Sequence, residues 1–88
     1  MNIARRLLNL VLARRYQITD HALDSMDEDN LAFNDVVACL ASGRLRRSWP
    51  RQRKYEVEGA SVDGRPVRTV ARLIAESTVR IITVYEVK

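Results

Sequence analysis

Residues able to carry proton-transfer chemistry are few, because the chain of 88 residues holds one histidine and one cysteine. His21 lies in the first turn of a predicted helix, where the positive end of the helix dipole favours the neutral imidazole that acts as a general base. The alternative is that His21 only hydrogen-bonds to a neighbouring strand and fixes the start of the helix. A lone histidine and a lone Cys39 argue against a dedicated His/Cys metal site, and one thiol excludes an internal disulfide.

Arginine offers a second kind of chemistry, the binding of phosphate. Of the 15 basic residues only Lys54 and Lys88 are lysine, and the net charge is +4. A guanidinium binds phosphate through two parallel hydrogen bonds and stacks on bases. A GC-rich genome, whose codons favour arginine, is the alternative reason for this composition. The basic balance therefore favours a nucleic-acid partner without identifying it.

The densest positive charge lies in residues 44–54, a segment without any acidic residue. Trp49 lies within it, where its ring is suited to stack on a base. The alternatives are a solvated hairpin with Trp49 in the core, or a patch covered by an acidic protein. Because cations at this density repel one another, we interpret the segment as a binding surface. The candidate nucleic-acid-binding residues of the chain are Arg44, Arg46, Arg47, Trp49, Arg51, Arg53, Lys54, Arg68 and Arg72.

Three further cations interrupt otherwise apolar strands: Arg68, Arg72 and Arg80. Arg68 and Arg72 share one face of a predicted strand, and a basic sheet face is suited to hold a phosphate backbone. The alternative is a set of salt bridges to glutamates on neighbouring strands. The sequence favours neither interpretation. By alternation, Tyr85 shares a face with Val79 and Ile81, which predicts a core tyrosine with its hydroxyl at the rim.

The elements that must position these residues follow from periodicity. Helical patterns precede a run of alternating segments separated by turn residues, which predicts a single α+β domain with its helices on one face of the sheet. The prediction is N-terminal helices at about 2–15, 20–28 and 34–42, packed on a four-stranded, mainly antiparallel sheet at about 45–49, 54–58, 67–75 and 79–87.

The first helix is strongly apolar on one stripe, which includes Ile3, Leu7 and Val11. It is expected to pack on the sheet or to form a homo-oligomer contact, and binding to a membrane surface is the weaker alternative. Its apolar run is too short for a signal peptide or a membrane span. We therefore expect a cytoplasmic protein with no membrane partner.

A set of short motifs occurs in order and carries a resemblance. The motifs are Ile18-Thr19-Asp20-His21-Ala22-Leu23, Met26, Asp35-Val36, Leu40, Gly43, Trp49-Pro50, Gly64-Arg65-Pro66 and Ile82-Thr83-Val84-Tyr85-Glu86. From about Tyr16 to Glu86 the chain resembles an uncharacterised bacterial family known only as a domain of unknown function. The pattern of that family is His-Ala-x-x-Arg-Met, a glycine-ended helix, Gly-Arg-Pro and Thr-Val-Tyr-Glu. The family in turn is similar to the RelE/ParE/BrnT-like toxin superfamily.

The resemblance implies a RelE-like fold in residues 16–88, preceded by the amphipathic helix of residues 1–15. It also implies a toxin-like protein of a type II toxin–antitoxin-like system, which binds RNA or the ribosome and has an acidic antitoxin as its partner. The implied activity is that of an endoribonuclease without metal or other cofactor. Its implied catalytic residues are His21, Tyr85 and Arg80.

The chain departs from the family pattern at four positions. Ser25 and Asp29 replace arginines, Asn30 replaces a glycine, and Ala32 replaces a helix-capping serine. The loss of two arginines would weaken phosphate binding at this helix. The alternative function is therefore a non-catalytic homologue that acts as a nucleic-acid- or protein-interaction module.

Overall fold

A computed structural model describes residues 2–75 and 77–88, and within them the chain forms three α-helices and one sheet of five strands. In chain order the elements are α1 (Ile3–Leu12), β1 (Tyr16–Ile18), α2 (Asp20–Glu28), α3 (Phe33–Ser42), β2 (Arg44–Trp49), a 3-10 turn (Pro50–Gln52), β3 (Lys54–Ala60), β4 (Pro66–Ala75) and β5 (Thr78–Glu86). The α+β class is as predicted, with helices first and the long strands after them.

The sheet is mixed and has one strand more than the four predicted. Its order is β1-β5-β4-β3-β2, and the strands from β5 to β2 are antiparallel neighbours. β1 is the additional strand and runs parallel to β5, with Tyr16 opposite Val79 and Ile18 opposite Ile81. Three residues are too few to show the alternation by which a strand is recognised in a sequence. The predicted extended entry at residues 16–18 is therefore an edge strand.

The first helix uses most of its apolar stripe within the chain. Its first turn is capped by the Asn2 side chain, whose Oδ1 accepts a hydrogen bond from the Arg5 amide at 3.1 Å. Ala4, Leu7 and Val11 are buried in the core, and α1 packs mainly on α3. A homo-oligomer through this helix stays a prediction. None of the helices among the described residues is long and apolar enough to cross a membrane.

Helix α3 lies unusually close to β3. A Cβ atom at Gly59 would overlap the main-chain carbonyl of Cys39, so only glycine fits at this contact. The Cys39 side chain is fully buried, and this burial raises the pKa of its thiol. The cysteine is thus part of the core, as its apolar sequence neighbours predict.

A β-bulge in β5 decides which side chains point away from the helices. Ala71 pairs with Ile81 whereas Val70 pairs with Thr83, so Ile82 is the extra residue. The alternation changes phase there, and Tyr85 points to the face opposite the buried Ile81. The prediction that these two residues share a face is wrong for this reason. We call the side of the sheet away from the helices the open face.

Candidate nucleic-acid interface

One line of side chains crosses all five strands of the open face. Gln17, Arg80, Arg72, Lys54 and Trp49 are direct partners in the register from β1 to β2. Directly opposed residues point to the same face of a sheet, and adjacent strands are about 4.8 Å apart. The five side chains therefore form a continuous line about 19 Å long. We call these five residues the cationic row.

The three cations of the row are not neutralised. Arg72 Nη2 donates to Gln52 Oε1 at 3.1 Å, and Arg80 donates from Nε and Nη2 to Gln17 Oε1 at 3.4 and 3.3 Å. Among the described residues, neither arginine nor Lys54 forms an ion pair. Like charges directly opposite one another on adjacent strands destabilise a sheet. The repulsion between the opposed cations of the row therefore opposes folding.

Arg72, at the centre of the row, has an unused hydrogen-bond donor. Its Nε is buried and makes no hydrogen bond with the part of the chain that the structure describes. A buried donor without a partner is unfavourable, and more so when the group is charged. A bound anion would supply the negative charge that Arg72 lacks, although the buried Nε itself is not accessible to it.

Two other cations of the open face, Arg68 and Arg46, form ion pairs. Arg68 Nε lies 2.7 Å from Glu58 Oε1, and its Nη1 donates to the Tyr85 hydroxyl at 3.4 Å. These two hydrogen bonds, the one with Tyr85 first, raise the pKa of the Arg68 guanidinium. Arg46 Nη1 lies 2.7 Å from the buried Glu56. Of the two interpretations of the strand cations, the salt bridge is observed for Arg68, while Arg72 and Arg80 form none with residues 2–75 and 77–88.

Four more arginines extend the positive surface around the row. Arg44 and Arg47 lie on β2, while Arg51 and Arg53 lie at the turn that leads into β3. All four are exposed, and none has an ion pair within residues 2–75 and 77–88. With the row, they bring most of the predicted nucleic-acid-binding residues onto one side of the molecule.

The three predicted catalytic residues are not brought together. His21 is exposed on α2 and makes no hydrogen bond among the described residues, whereas Tyr85 and Arg80 lie on the open face. Tyr85 pairs with Arg68 and Arg80 pairs with Arg72, and these two partners are four residues apart on β4. This spacing corresponds to about 13 Å along a strand. Catalytic roles for the three residues stay predictions.

Helix α2 covers the edge of β5 beyond the end of β1. The Val84 amide donates to Ser25 Oγ at 3.2 Å, and the Glu86 amide donates to Asp29 Oδ2 at 2.8 Å. This amide, followed by the Lys88 ammonium at 3.0 Å, lowers the pKa of the Asp29 carboxyl. The two residues that depart from the arginines of the family pattern thus satisfy main-chain donors that would otherwise be left on an open strand edge.

Arg65 ties the end of α2 to the sheet. It donates from Nη1 to the carbonyl of Asp29 at 2.7 Å and to Glu86 Oε1 at 3.1 Å, and from Nη2 to the carbonyl of Asn30 at 3.1 Å. Its Nε donates to Asp63 at 3.1 Å. The carbonyls lie at the negative end of the helix dipole, where a cation is stabilising. We call Ser25, Asp29, Arg65 and Glu86 the α2 seam.

The described residues define an α+β protein with a covered sheet face, a fully paired seam and an unpaired cationic row. Sequence comparison identifies its family: the chain belongs to the family described as Domain of unknown function (DUF4258), which matches residues 18–86. No curated protein and no solved structure matches the chain. The family match includes the whole sheet except the first two residues of β1 and leaves α1 outside.

Proposed function

We propose that this protein binds RNA through the cationic row, as a toxin-like RNA- or ribosome-binding protein. The observation that carries the proposal is the set of three opposed cations without any acidic partner among the described residues. A phosphate backbone supplies the negative charge that this arrangement lacks. The motif residues resemble a family that is in turn similar to RelE-like toxins, and for this reason we propose RNA as the polyanion.

The distribution of charge over the surface supports the same proposal. Helix α2 carries four exposed acidic residues: Asp20, Asp24, Asp27 and Glu28. This helix packs on the core side of the sheet, whereas the cationic row lies on the open face. A polyanion is repelled by the first surface and attracted by the second. An approaching strand would therefore be oriented before it makes contact.

Fluorescence anisotropy of a labelled RNA oligonucleotide tests the proposal. The variant Lys54→Gln/Arg72→Gln/Arg80→Gln removes three cations of the row. We expect its Kd to rise at least about tenfold and the slope of log K against log salt to fall by about 2, since each phosphate contact on a single strand contributes about 0.7.

The matched control removes the same charge elsewhere. Arg5, Arg14 and Arg15 are exposed at or near α1, which lies outside the family match. We expect the variant Arg5→Gln/Arg14→Gln/Arg15→Gln to change the Kd by less than about threefold, because the remaining effect is long-range and screened. An equal rise of the Kd in both variants would show that RNA affinity depends on the net charge and not on the position of the cations. Displacement of RNA by polyglutamate at equal charge concentration would instead indicate an acidic protein partner.

Cleavage of the bound RNA is a second candidate function, which one contact favours. The Tyr85 hydroxyl lies 3.4 Å from Arg68 Nη1 on the same face as the row, so a proton-transfer group and a cation are adjacent. Incubation of labelled RNA with EDTA present tests it. Cleavage should occur with the wild type and His21→Ala, and be lost with Tyr85→Phe. Intact RNA with the wild type would leave the non-catalytic binding function.

A further inference from the structure

A hollow of about 460 Å³ lies at the β2 end of the cationic row. It is formed where β2 passes into the 3-10 turn and is lined by Ser48, Trp49, Pro50, Arg51 and Gln52. Its volume is within the roughly 300–1,000 Å³ that is usual for small-ligand sites. The lining is mainly apolar, which distinguishes the hollow from the charged row beside it.

The aromatic wall of the hollow belongs to the row as well. Trp49 is the last residue of the row, and Lys54 Nζ lies 4.5 Å from the centre of its ring. The cation holds the indole by a cation–π contact while the ring also lines the hollow. A flat group that enters the hollow can therefore stack on the indole next to the positive charge of Lys54.

The polar groups of the hollow suit the edge of a base. Gln52 Oε1 accepts a hydrogen bond from Arg72, so the amide is oriented and its NH₂ remains as a donor. Because Arg72 belongs to the row, the residue that binds phosphate also positions the donor for the base.

We propose that this hollow binds one unpaired nucleobase of an RNA strand, stacked on Trp49, while phosphates of the same strand lie on the cationic row. The proposal rests on the RNA-binding function proposed above and specifies its substrate as single-stranded. Bases within a duplex are stacked on one another and cannot enter a side hollow, whereas single strands expose bases that stack on aromatic side chains. The line of side chains from Arg80 to Trp49 gives the axis along which the strand lies.

Trp49 is the only tryptophan, so its fluorescence reports on the hollow directly. The probes are a labelled decauridylate, the same ribose–phosphate chain without bases, and a ten-base-pair RNA duplex. We expect decauridylate to quench Trp49 emission at saturation and to bind about 5- to 150-fold more tightly than the chain without bases. The duplex should bind, if at all, without quenching.

Two variants separate stacking from folding. Trp49→Leu should lose the preference for decauridylate over the chain without bases, while Trp49→Phe retains part of it because a ring remains. Thermal melting confirms that both variants fold, so a misfolded variant is not counted. Equal affinity of the wild type for decauridylate and the chain without bases, or binding of decauridylate that leaves Trp49 emission unchanged, would overturn the hollow while RNA binding stands. No anisotropy change with any probe would overturn both proposals.

Discussion

Arg65 lies immediately before β4 and Arg72 near its end, yet their electrostatic surroundings are opposite. Arg65 contacts two carboxylates and two main-chain carbonyls. Its hydrogen bonds to the carboxylates, Asp63 first and then Glu86, raise the pKa of its guanidinium. Arg72 has cations opposite it on both neighbouring strands, one glutamine as partner, and a buried Nε without an acceptor among the described residues. Arg65 is fully paired within the fold, whereas the charge of Arg72 is not compensated by any acidic residue among those described.

The residues that carry the family resemblance and the residues of the cationic row also differ in their roles. Several residues that carry the resemblance have structural roles: Thr19 caps α2 by accepting from the Ala22 amide, and Arg65 joins Glu86. The cationic row, by contrast, contains only Trp49 from those motifs. Of the α2 seam, Arg65 and Glu86 thus belong to the motifs of the resemblance, whereas Ser25 and Asp29 depart from them. The proposed function depends mainly on residues outside those motifs.

The largest expected effect comes from breaking the seam. Arg65→Met removes the hydrogen bonds to the carbonyls of Asp29 and Asn30 and the ion pairs with Asp63 and Glu86. We expect the Tm to fall by about 10 °C, because several partners lose their donor at once. Circular dichroism melting measures the change.

The same substitution at an arginine without partners is the control for the seam. Arg51→Met should shift the Tm by less than about 2 °C, because Arg51 is exposed and has no partner among the described residues. RNA affinity at a temperature where Arg65→Met is folded should be nearly that of the wild type. Equal Tm losses at Arg65 and Arg51 would remove the distinction between paired and unpaired arginines.

The pH dependence of the seam gives an intermediate effect. The Glu86 amide and Lys88 lower the pKa of Asp29 below its ordinary value of 3.8. A carboxyl whose pKa is lower in the folded state stabilises the fold above the unfolded pKa and loses this contribution as the pH falls through the folded pKa. We expect Asp29→Asn to lower the Tm by about 4 °C at pH 7. The difference should shrink as the pH falls through the folded-state pKa of Asp29, which lies below 3.8.

Glu28, the last residue of α2 and the neighbour of Asp29 in the chain, provides a control for the pH experiment. It is exposed and has no ion pair among the described residues. We therefore expect the Tm of Glu28→Gln to differ little from that of the wild type at every pH from 7 to 2. If the Tm difference for Asp29→Asn grew on acidification, the carboxylate would not be the stabilising form.

Much of the fold could be predicted from local sequence patterns. The helix-capping Thr19 and the left-handed Asn30, with φ of 54°, bracket α2 as expected. Periodicity predicts the end of α1 at residue 15, whereas the helix ends at Leu12. Arg14 adopts a left-handed φ of 61°, a conformation that arginine seldom adopts, so its residue type does not indicate the end of the helix. Strand β1 lacked a recognisable pattern because it has three residues.

The positive character of the site could also be predicted, but not its division into paired and unpaired cations. That division depends on the register between strands and on the bulge at Ile82, which local sequence does not determine. Gln17 and Gln52, which contact Arg80 and Arg72, were missed for the same reason, since each lies more than ten residues from its partner in the chain.

The smallest effect, and the one of opposite sign, is expected at the centre of the row. Arg72→Met keeps most of the aliphatic packing but removes the charge that faces Lys54 and Arg80 and the buried donor that lacks an acceptor. We expect the Tm to rise by about 2 °C at low salt, because opposed like charges cost up to about 1 kcal/mol per pair. The gain should shrink at 1 M salt, where such repulsion is screened over about 3 Å. A stabilised variant with weakened RNA binding is the result expected if Arg72 binds a ligand at the expense of fold stability. A Tm that falls as far as in Arg65→Met would instead show that Arg72 stabilises the fold.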